Sequence, residues 1–289
     1  MSRESRLFAC CGGLLLLSAA CGFGAASVRL ADFPGRTEPA PLLHAVFGNR
    51  AQTLDLEIDN AAPSSGDLVA DLFQTSGELA LPLARGIHVQ DAVTLDGKGP
   101  QTLRISIKFP NVQKRAETLV RFSLVSRSST TVPVQVGDLR LEVYPASITK
   151  ELEDLLKPRT DGTIPAVLFG AGRKLQSFLA LAKIPYDVSG IDLPDQFEPN
   201  RIYFGEAAHE ESYSITQEIR QRVRMAVFAP DQSLPAGVYA EQAPDAVFIR
   251  VTLPLLDNLN DDPRAQLALI KIIHLLIAPP SSINPSVHL

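Results

Sequence analysis

The stretch IPAVLFGAGRKLQSFLALA, residues 164–182, sets the architecture that we predict for the second half of the chain. Residues 164–169 are consistent with a buried strand, and the turn Gly170-Ala171-Gly172 follows them. Residues 174–182 then place apolar side chains at helical spacing. A strand, a glycine turn and a helix in this order predict an α/β layer with a largely parallel sheet.

The segments around this unit continue the alternation of strands and helices. Strand-like runs occupy residues 201–205, 225–228 and 246–252, while helical patterns occupy residues 148–156, 215–223 and 263–277. Ser147 and Asp262 stand where helix N-caps are expected, and Pro263 suits a first helical position. We therefore predict that residues 146–289 form a Rossmann-like or flavodoxin-like α/β domain.

The first half of the chain has a period of two. Residues 53–59, 103–109, 119–124 and 139–144 alternate apolar and polar side chains, and turn signals separate these runs. About seven short strands over roughly 100 residues, with no helical stretch between them, are typical of a sandwich of two antiparallel sheets. Residues 44–145 are therefore predicted to form a β-sandwich that resembles immunoglobulin and fibronectin domains.

The N-terminus has the layout of a bacterial export signal. Arg3 and Arg6 precede an uncharged run from Leu7 to Val28. Residues 17–21, LSAAC, resemble a lipoprotein signal, which would be cut before Cys21 so that the thiol takes a lipid. Cleavage after Ala26 and an uncleaved anchor are the alternatives. Each of them places residues 27–43, a predicted tether, and both domains outside the cytoplasm.

Composition excludes several classes of function. The 289-residue chain carries a formal net charge of -5, has no Trp, and has no run of basic residues longer than Arg173-Lys174, which argues against a nucleic-acid partner. Its three cysteines, Cys10, Cys11 and Cys21, all precede the predicted domains. The folded part is therefore expected to lack a disulfide, a cysteine-ligated metal and a thiol nucleophile.

The turn at residues 170–174 is the candidate ligand site. A helix that starts after Gly170, Ala171 and Gly172 presents free N–H groups to an anion or a polar ligand, and Arg173 and Lys174 add positive charge. A plain structural turn is the alternative. A dinucleotide fingerprint needs a third glycine where Leu175 stands, so no cofactor is predicted.

An acidic cluster and one histidine have side chains suited to metal binding or acid–base catalysis. Glu206 lies near His209, Glu210 and Glu211, and such a cluster either binds a metal, acts as acid and base, or forms a solvated loop. His88 has no ligand or catalytic partner that the sequence identifies. We assign no catalytic residue and no metal ligand from the sequence.

A family resemblance covers residues 146–278. The run Ala166–Gly172, followed by Leu175 and the pair Phe178-Leu179, resembles class I glutamine amidotransferase-like domains, which occur beside β-sandwich modules in bacterial surface proteins. Catalytic members of that family carry a Cys on a sharp turn after a strand, and no Cys lies in this part of the chain. The resemblance therefore implies a non-catalytic α/β module.

These observations lead to one expected function and two alternatives. The expected function is a non-enzymatic cell-envelope protein, anchored to the membrane through Cys21, that binds or scaffolds a polysaccharide or an envelope protein. One alternative is an extracytoplasmic hydrolase that acts on glycans through carboxylates such as Glu206 and Glu210. The other is a small-ligand receptor at the Gly170–Gly172 turn.

Overall fold

The computed structural model describes residues 26–30, 43–60, 62–77, 79–126, 132–207, 215–220, 222–229 and 235–278. Cys21 and the predicted leader up to residue 25 lie outside these ranges. The strands are β1 (Ser27–Leu30), β2 (His44–Phe47), β3 (Ala51–Asp59), β4 (Ser64–Ser76), β5 (Leu79–Leu95), β6 (Gln101–Lys108), β7 (Ala116–Val125), β8 (Val134–Tyr144), β9 (Ala166–Phe169), β10 (Asp187–Gly190), β11 (Ile202–Glu206), β12 (Arg224–Phe228), β13 (Val238–Ala243) and β14 (Ala246–Val251). The helices are α1 (Ile148–Leu156), α2 (Lys174–Leu181), α3 (Gln217–Arg220) and α4 (Pro263–Ile277), and a 3-10 turn spans Leu255–Asn258.

The first eight strands form a β-sandwich. One sheet has the order β1-β3-β6, and the other has the order β2-β8-β7-β4-β5. Neighbouring strands are antiparallel except β2 and β8, which are parallel. Alternate residues of both sheets meet in one core that includes Leu56, Ile58, Leu72, Phe122 and Leu124. The period-two pattern therefore identified a sandwich correctly.

The segment that we predicted as a tether begins with a strand of this sandwich. Residues 27–30 form β1, which pairs with β3 and buries Val28. Strand β1 also lies against Gly137 of β8, where a Cβ would stand 2.6 Å from the Val28 side chain. Gly137 therefore leaves the space in which β1 joins the two sheets.

The remaining six strands form a mostly parallel sheet of order β10-β9-β11-β12-β14-β13, in which only the edge strand β13 is antiparallel. Helices α1, α2 and α4 pack on one face. The other face is covered by Leu193 and Phe197 of the β10–β11 connection and by Ile215 and Ile219 around α3. The chain is thus β-rich, with three sheets and a small number of helices. None of the helices in the described ranges is both long enough and apolar enough to span a membrane.

The sandwich and the helical layer share a core. Ala45, Phe47 and Tyr144 pack with the helices rather than with the other sandwich residues. At the edge of this contact Arg264 donates to the Glu142 carboxylate at 2.5 Å, and Tyr144 donates to it at 2.9 Å. Burial by itself would raise the pKa of Glu142, but these hydrogen bonds outweigh it and the pKa lies below its ordinary value. A shared core and a half-buried ion pair hold the two parts together.

The structure can be compared with the N-caps that we predicted at the starts of α1 and α4. Asp262 accepts a hydrogen bond from the Arg264 N–H at 2.8 Å, as its N-cap position predicted. Ser147 is the N-cap residue of α1 as predicted, but its side chain makes no capping bond because its backbone is already helical. The predicted helix over residues 215–223 is also shorter, Gln217–Arg220, since the chain must straighten to enter β12 at Arg224.

Candidate functional site

The carboxyl edge of the parallel sheet carries the turn that the sequence pointed to. Strand β9 ends at Phe169 and strand β11 ends at Glu206, while β10 lies on the far side of β9. The strand order therefore reverses beside β9, which is where open α/β sheets form a ligand crevice. Two cavities, of about 90 and 330 Å³, adjoin Glu206 at this edge.

Glu206 occupies the N-terminus of helix α2. Its Oε1 accepts the Lys174 N–H and its Oε2 accepts the Leu175 N–H, each at 3.1 Å. A carboxylate here satisfies two of the free N–H groups and interacts favourably with the helix dipole. The anion predicted at this helix end is thus one of the chain's own side chains, and an external anion would have to displace it.

Glycine is required at residues 170 and 172 of the turn for two different reasons. Gly170 has a φ of +109°, which only glycine adopts without strain, and its N–H donates to the Gly190 carbonyl at 3.0 Å. At Gly172 a Cβ would stand 2.1 Å from Cγ of Glu206. The absence of a side chain at residue 172 is therefore what allows Glu206 to reach the helix.

The two cations of the predicted site are engaged nearby. Arg173 donates to the Gln176 side chain at 2.7 Å. The Lys174 ammonium forms an ion pair with Asp257 of the 3-10 turn, and this contact raises the pKa of Lys174. The structure thus brings residues 170–174 together as predicted, but it gives both charges internal partners. Ligand binding at this turn stays a prediction.

The acidic cluster falls only partly within the described residues. Glu206 is described, whereas His209, Glu210 and Glu211 lie outside the described ranges. Both oxygens of Glu206 accept backbone hydrogen bonds, so this carboxylate has a structural role at the start of α2. That alternative otherwise stays untested.

The opposite, amino edge of the same sheet holds a cavity of about 470 Å³. Its wall is made by the end of α1, the starts of β11 and β12, and the end of α4. Its lining combines apolar side chains with four cations, Lys157, Arg159, Arg201 and Arg224, and one carboxylate, Asp154. The volume lies within the range of small-molecule sites, about 300–1,000 Å³.

Two of these cations are fixed by the protein. Arg201 donates to Asp187 at 2.6 Å, and its Nε lies 3.1 Å from Oε2 of Glu198. Arg224 donates to the carbonyl of Ile277 at the end of α4, at 3.3 Å. Arg201 is thus charge-neutralised, while Arg224 compensates a helix end and keeps its full charge.

Lys157 and Arg159 are exposed and follow the end of α1. Setting Arg201 aside, three cations face one carboxylate in the cavity. The C-termini of α1 and α4 also border it, and each carries the equivalent of about half a negative charge. The lining itself carries four cations and one carboxylate, although the chain as a whole has a net charge of -5. The two helix ends and the two carboxylates that hold Arg201 offset this excess, so that the exposed Lys157 and Arg159 are the charges the cavity offers.

Sequence reasoning missed this cavity because its cations are scattered along the chain. No basic run marks the site in the sequence, because residues 157, 159, 201 and 224 come together only through the order of the strands. The available signal was a cation at the amino end of each of two predicted strands, Arg201 as the first residue of one and Arg224 directly before the other, since the amino ends of neighbouring parallel strands share one edge.

Comparisons with known proteins add little to this geometry. No family model and no curated protein matches the chain. A Niemann-Pick type C2 protein from Japanese carpenter ant is 7% identical over 43% of this chain and 96% of its own, with a TM-score of 0.27. The C-terminal domain of wzt is 11% identical over 42% and 71% of the two chains, with a TM-score of 0.25. A family 123 glycoside hydrolase from Clostridium perfringens is 12% identical over 56% and 32%, with a TM-score of 0.23. Similarities at this level carry no argument about function.

Proposed function

We propose that this chain is a non-enzymatic binding protein of the cell envelope and that its ligand is an acidic surface polymer. The observation that carries the proposal is the cavity of about 470 Å³ at the amino edge of the sheet, whose lining holds four cations and one carboxylate, with Lys157 and Arg159 exposed. Exposed, clustered cations attract anionic groups.

The cavity chemistry favours one anionic group beside an apolar surface. Lys157 and Arg159 are available for a carboxylate or a phosphate, and Arg159 can bind either in bidentate fashion. Leu155, Pro158 and Ile277 offer the apolar wall. An acidic sugar ring, with an apolar face and a charged substituent, combines both properties.

The proposal also includes the location of the protein in the cell envelope. The basic, then apolar, N-terminal segment and the lipoprotein-like run that ends at Cys21 support export and a lipid anchor. Mass spectrometry of the mature N-terminus tests this part, and an unmodified chain that starts at Ser27 would refute the lipid.

The finer fold assignment supports the same class. An immunoglobulin-like sandwich followed by a Rossmann-like or flavodoxin-like domain would suit a spacer that presents a binding surface, by analogy of fold alone. The small-ligand receptor at residues 170–174 is the second candidate, because two cavities adjoin Glu206 there. Its ligand would have to be neutral or cationic, since the helix end already holds a carboxylate.

Calorimetric titration with short oligomers tests the polymer proposal. We expect uronic acid or glycerol phosphate oligomers to bind, and a neutral glucose oligomer of equal length not to bind. The double variant Lys157→Gln/Arg159→Gln should lose at least about tenfold in affinity, because two charge-assisted hydrogen bonds are removed.

The control is Lys98→Gln/Lys108→Gln, which removes the same two charges from exposed positions on the sandwich. It should leave the affinity within about twofold, since charges beyond a Debye length are screened. An equal loss in both double variants would mean that only the overall charge matters. Tight binding of the neutral oligomer, unaffected by either variant, would instead favour the receptor at residues 170–174.

A further inference from the structure

Strands β4 and β5 pair irregularly along a five-residue stretch. Gly66 pairs with Val93 and Leu68 pairs with Gln90, so that Asp67 alone faces the two residues Asp91 and Ala92. Val69 then pairs with His88, and Val89 has no opposite residue. Strand β5 therefore holds two extra residues, which are β-bulges.

The bulges bring three metal-ligating side chains to one face. In a regular strand, residues 88 and 91 would point to opposite faces of the sheet. With Val89 as an extra residue, His88 and Asp91 lie on the same face as Asp67, opposite to the core side that buries Leu68. The ligand atoms of Asp67, His88 and Asp91 all lie within 4.8 Å of one another.

We propose that Asp67, His88 and Asp91 bind one divalent first-row transition metal ion, with zinc preferred. Two carboxylates and one imidazole are ligands that zinc accepts, and the imidazole disfavours calcium and magnesium, which prefer oxygen. The two carboxylates together balance the charge of a divalent ion. No other group of three such side chains converges in the described part of the chain.

The spacing of the atoms fits such an ion. Ligands at about 2.0–2.1 Å from a tetrahedral zinc lie about 3.4 Å apart, and Nε2 of His88 stands 3.3 Å from Oδ1 of Asp91. Asp67 Oδ1 accepts the Ala92 N–H at 2.9 Å, which orients this carboxylate in the way that outer hydrogen bonds orient metal ligands.

The site is open to solvent on the edge strand of its sheet. The side chains of His88 and Asp91 are 55% and 71% exposed. Three protein ligands with solvent access leave one or more positions for water or for a group from another molecule. The His88–Asp91 contact and the bond from the Ala92 N–H to Asp67 account for the three side chains in pairs. The proposal rests on the convergence of all three ligand atoms within 4.8 Å of one another. This proposal does not depend on the proposed polymer binding.

The test is calorimetric titration of the full chain with Zn²⁺, Mn²⁺ and Mg²⁺, beside the variants His88→Gln and Asp91→Asn. The wild-type chain should bind zinc at this site with a stoichiometry of one, and more tightly than magnesium. Each variant should weaken that binding at least about tenfold, since even the loss of an outer hydrogen bond costs 10–100-fold. Asp67 is kept, because its carboxylate also holds the Ala92 N–H.

The matched control is Asp96→Asn, an exposed carboxylate just after β5 that is not among the three residues. It should keep wild-type affinity. Because Cys10, Cys11 and Cys21 are present in every variant, a parallel titration with Co²⁺ identifies any thiolate-bound fraction by its charge-transfer bands. Unchanged zinc binding in His88→Gln, an equal loss in Asp96→Asn, or magnesium binding as tight as zinc would each overturn the proposal.

Discussion

The two edges of the parallel sheet differ in how their charges are used. At the carboxyl edge, Glu206 binds the start of α2 and Lys174 pairs with Asp257. At the amino edge, Arg201 and Arg224 have internal partners, whereas Lys157 and Arg159 stand exposed at the rim of the larger cavity. The edge where ligands usually bind is thus held together internally, and the edge that usually only supports the fold offers charge to a ligand.

This contrast predicts that substitutions at the carboxyl edge mainly change stability and that substitutions at the amino edge mainly change ligand affinity. Substitutions at the carboxyl edge should lower the free energy of unfolding, because they remove contacts between elements that are distant in the chain. Substitutions of the exposed cations at the amino edge should change affinity and leave stability almost unaltered. The predictions below test this division in order of decreasing effect on stability.

The largest expected effect is that of Gly172→Ala. The new methyl would stand 2.1 Å from Cγ of Glu206 and would push the carboxylate away from α2. We expect a loss of about 2–4 kcal/mol, the sum of overpacking and a lost helix cap. Urea denaturation measures it, with Gly237→Ala as control, since a Cβ there meets only ordinary contacts at 3.4 Å and beyond. Equal stability of the two variants would contradict the structural reading of the turn.

Glu206→Ala should have the second largest effect. It removes the carboxylate that caps α2 without adding the steric clash that Gly172→Ala introduces. The N–H groups of Lys174 and Leu175 would lose their acceptor, at a cost of about 1–2 kcal/mol. Glu206→Gln should cost less, because an amide oxygen still accepts one hydrogen bond. Thermal denaturation compares both with Glu153→Ala, an exposed helical glutamate. A stabilising effect of Glu206→Ala would show that its carboxylate is held for a ligand instead.

Lys174→Met should have a smaller effect. Its ion pair with Asp257 is about half exposed, so we expect at most about 1 kcal/mol, and less in high salt. Denaturation at low and high ionic strength measures the difference. A loss that salt does not reduce would mean that the methylene chain of Lys174, rather than its charge, holds the 3-10 turn.

Lys157→Gln/Arg159→Gln should have the smallest effect on stability. Both side chains are exposed, so the free energy of unfolding should stay within about 0.5 kcal/mol of the wild type. The same protein should lose its affinity for acidic oligomers. If this variant unfolds more easily than Glu206→Ala, the two edges do not divide their roles as we describe.

The sequence predicted the elements whose signals are local. The alternation in residues 53–59 and 119–124 indicated strands of a sandwich, and Asp262 before Pro263 marked the start of α4. Strands β10 and β13 carried no such signal. Residues 187–190 and 238–243 are mostly exposed or half-buried, so neither forms the apolar run that indicates a buried strand.

The site features depended on contacts that no local pattern contains. Glu206 caps a helix that begins 32 residues earlier, and the cavity cations lie on three separate elements. His88 and Asp91 are three residues apart in a strand, which predicts opposite faces until the bulge at Val89 is known. Pairing register and strand order decide such neighbours, and both arise from the packing of the whole molecule.

If Cys21 carries the proposed lipid, strand β1 also limits how far the folded body can stand from a bilayer. It starts at Ser27 and is locked into the sandwich, six residues after Cys21. Six extended residues span about 20 Å at most. With a lipid on Cys21, only the residues between Cys21 and Ser27 would set this distance, because β1 is already paired within the sandwich. The molecule would sit close against the lipid surface, and whatever it recognises would have to come within that short distance of the headgroups.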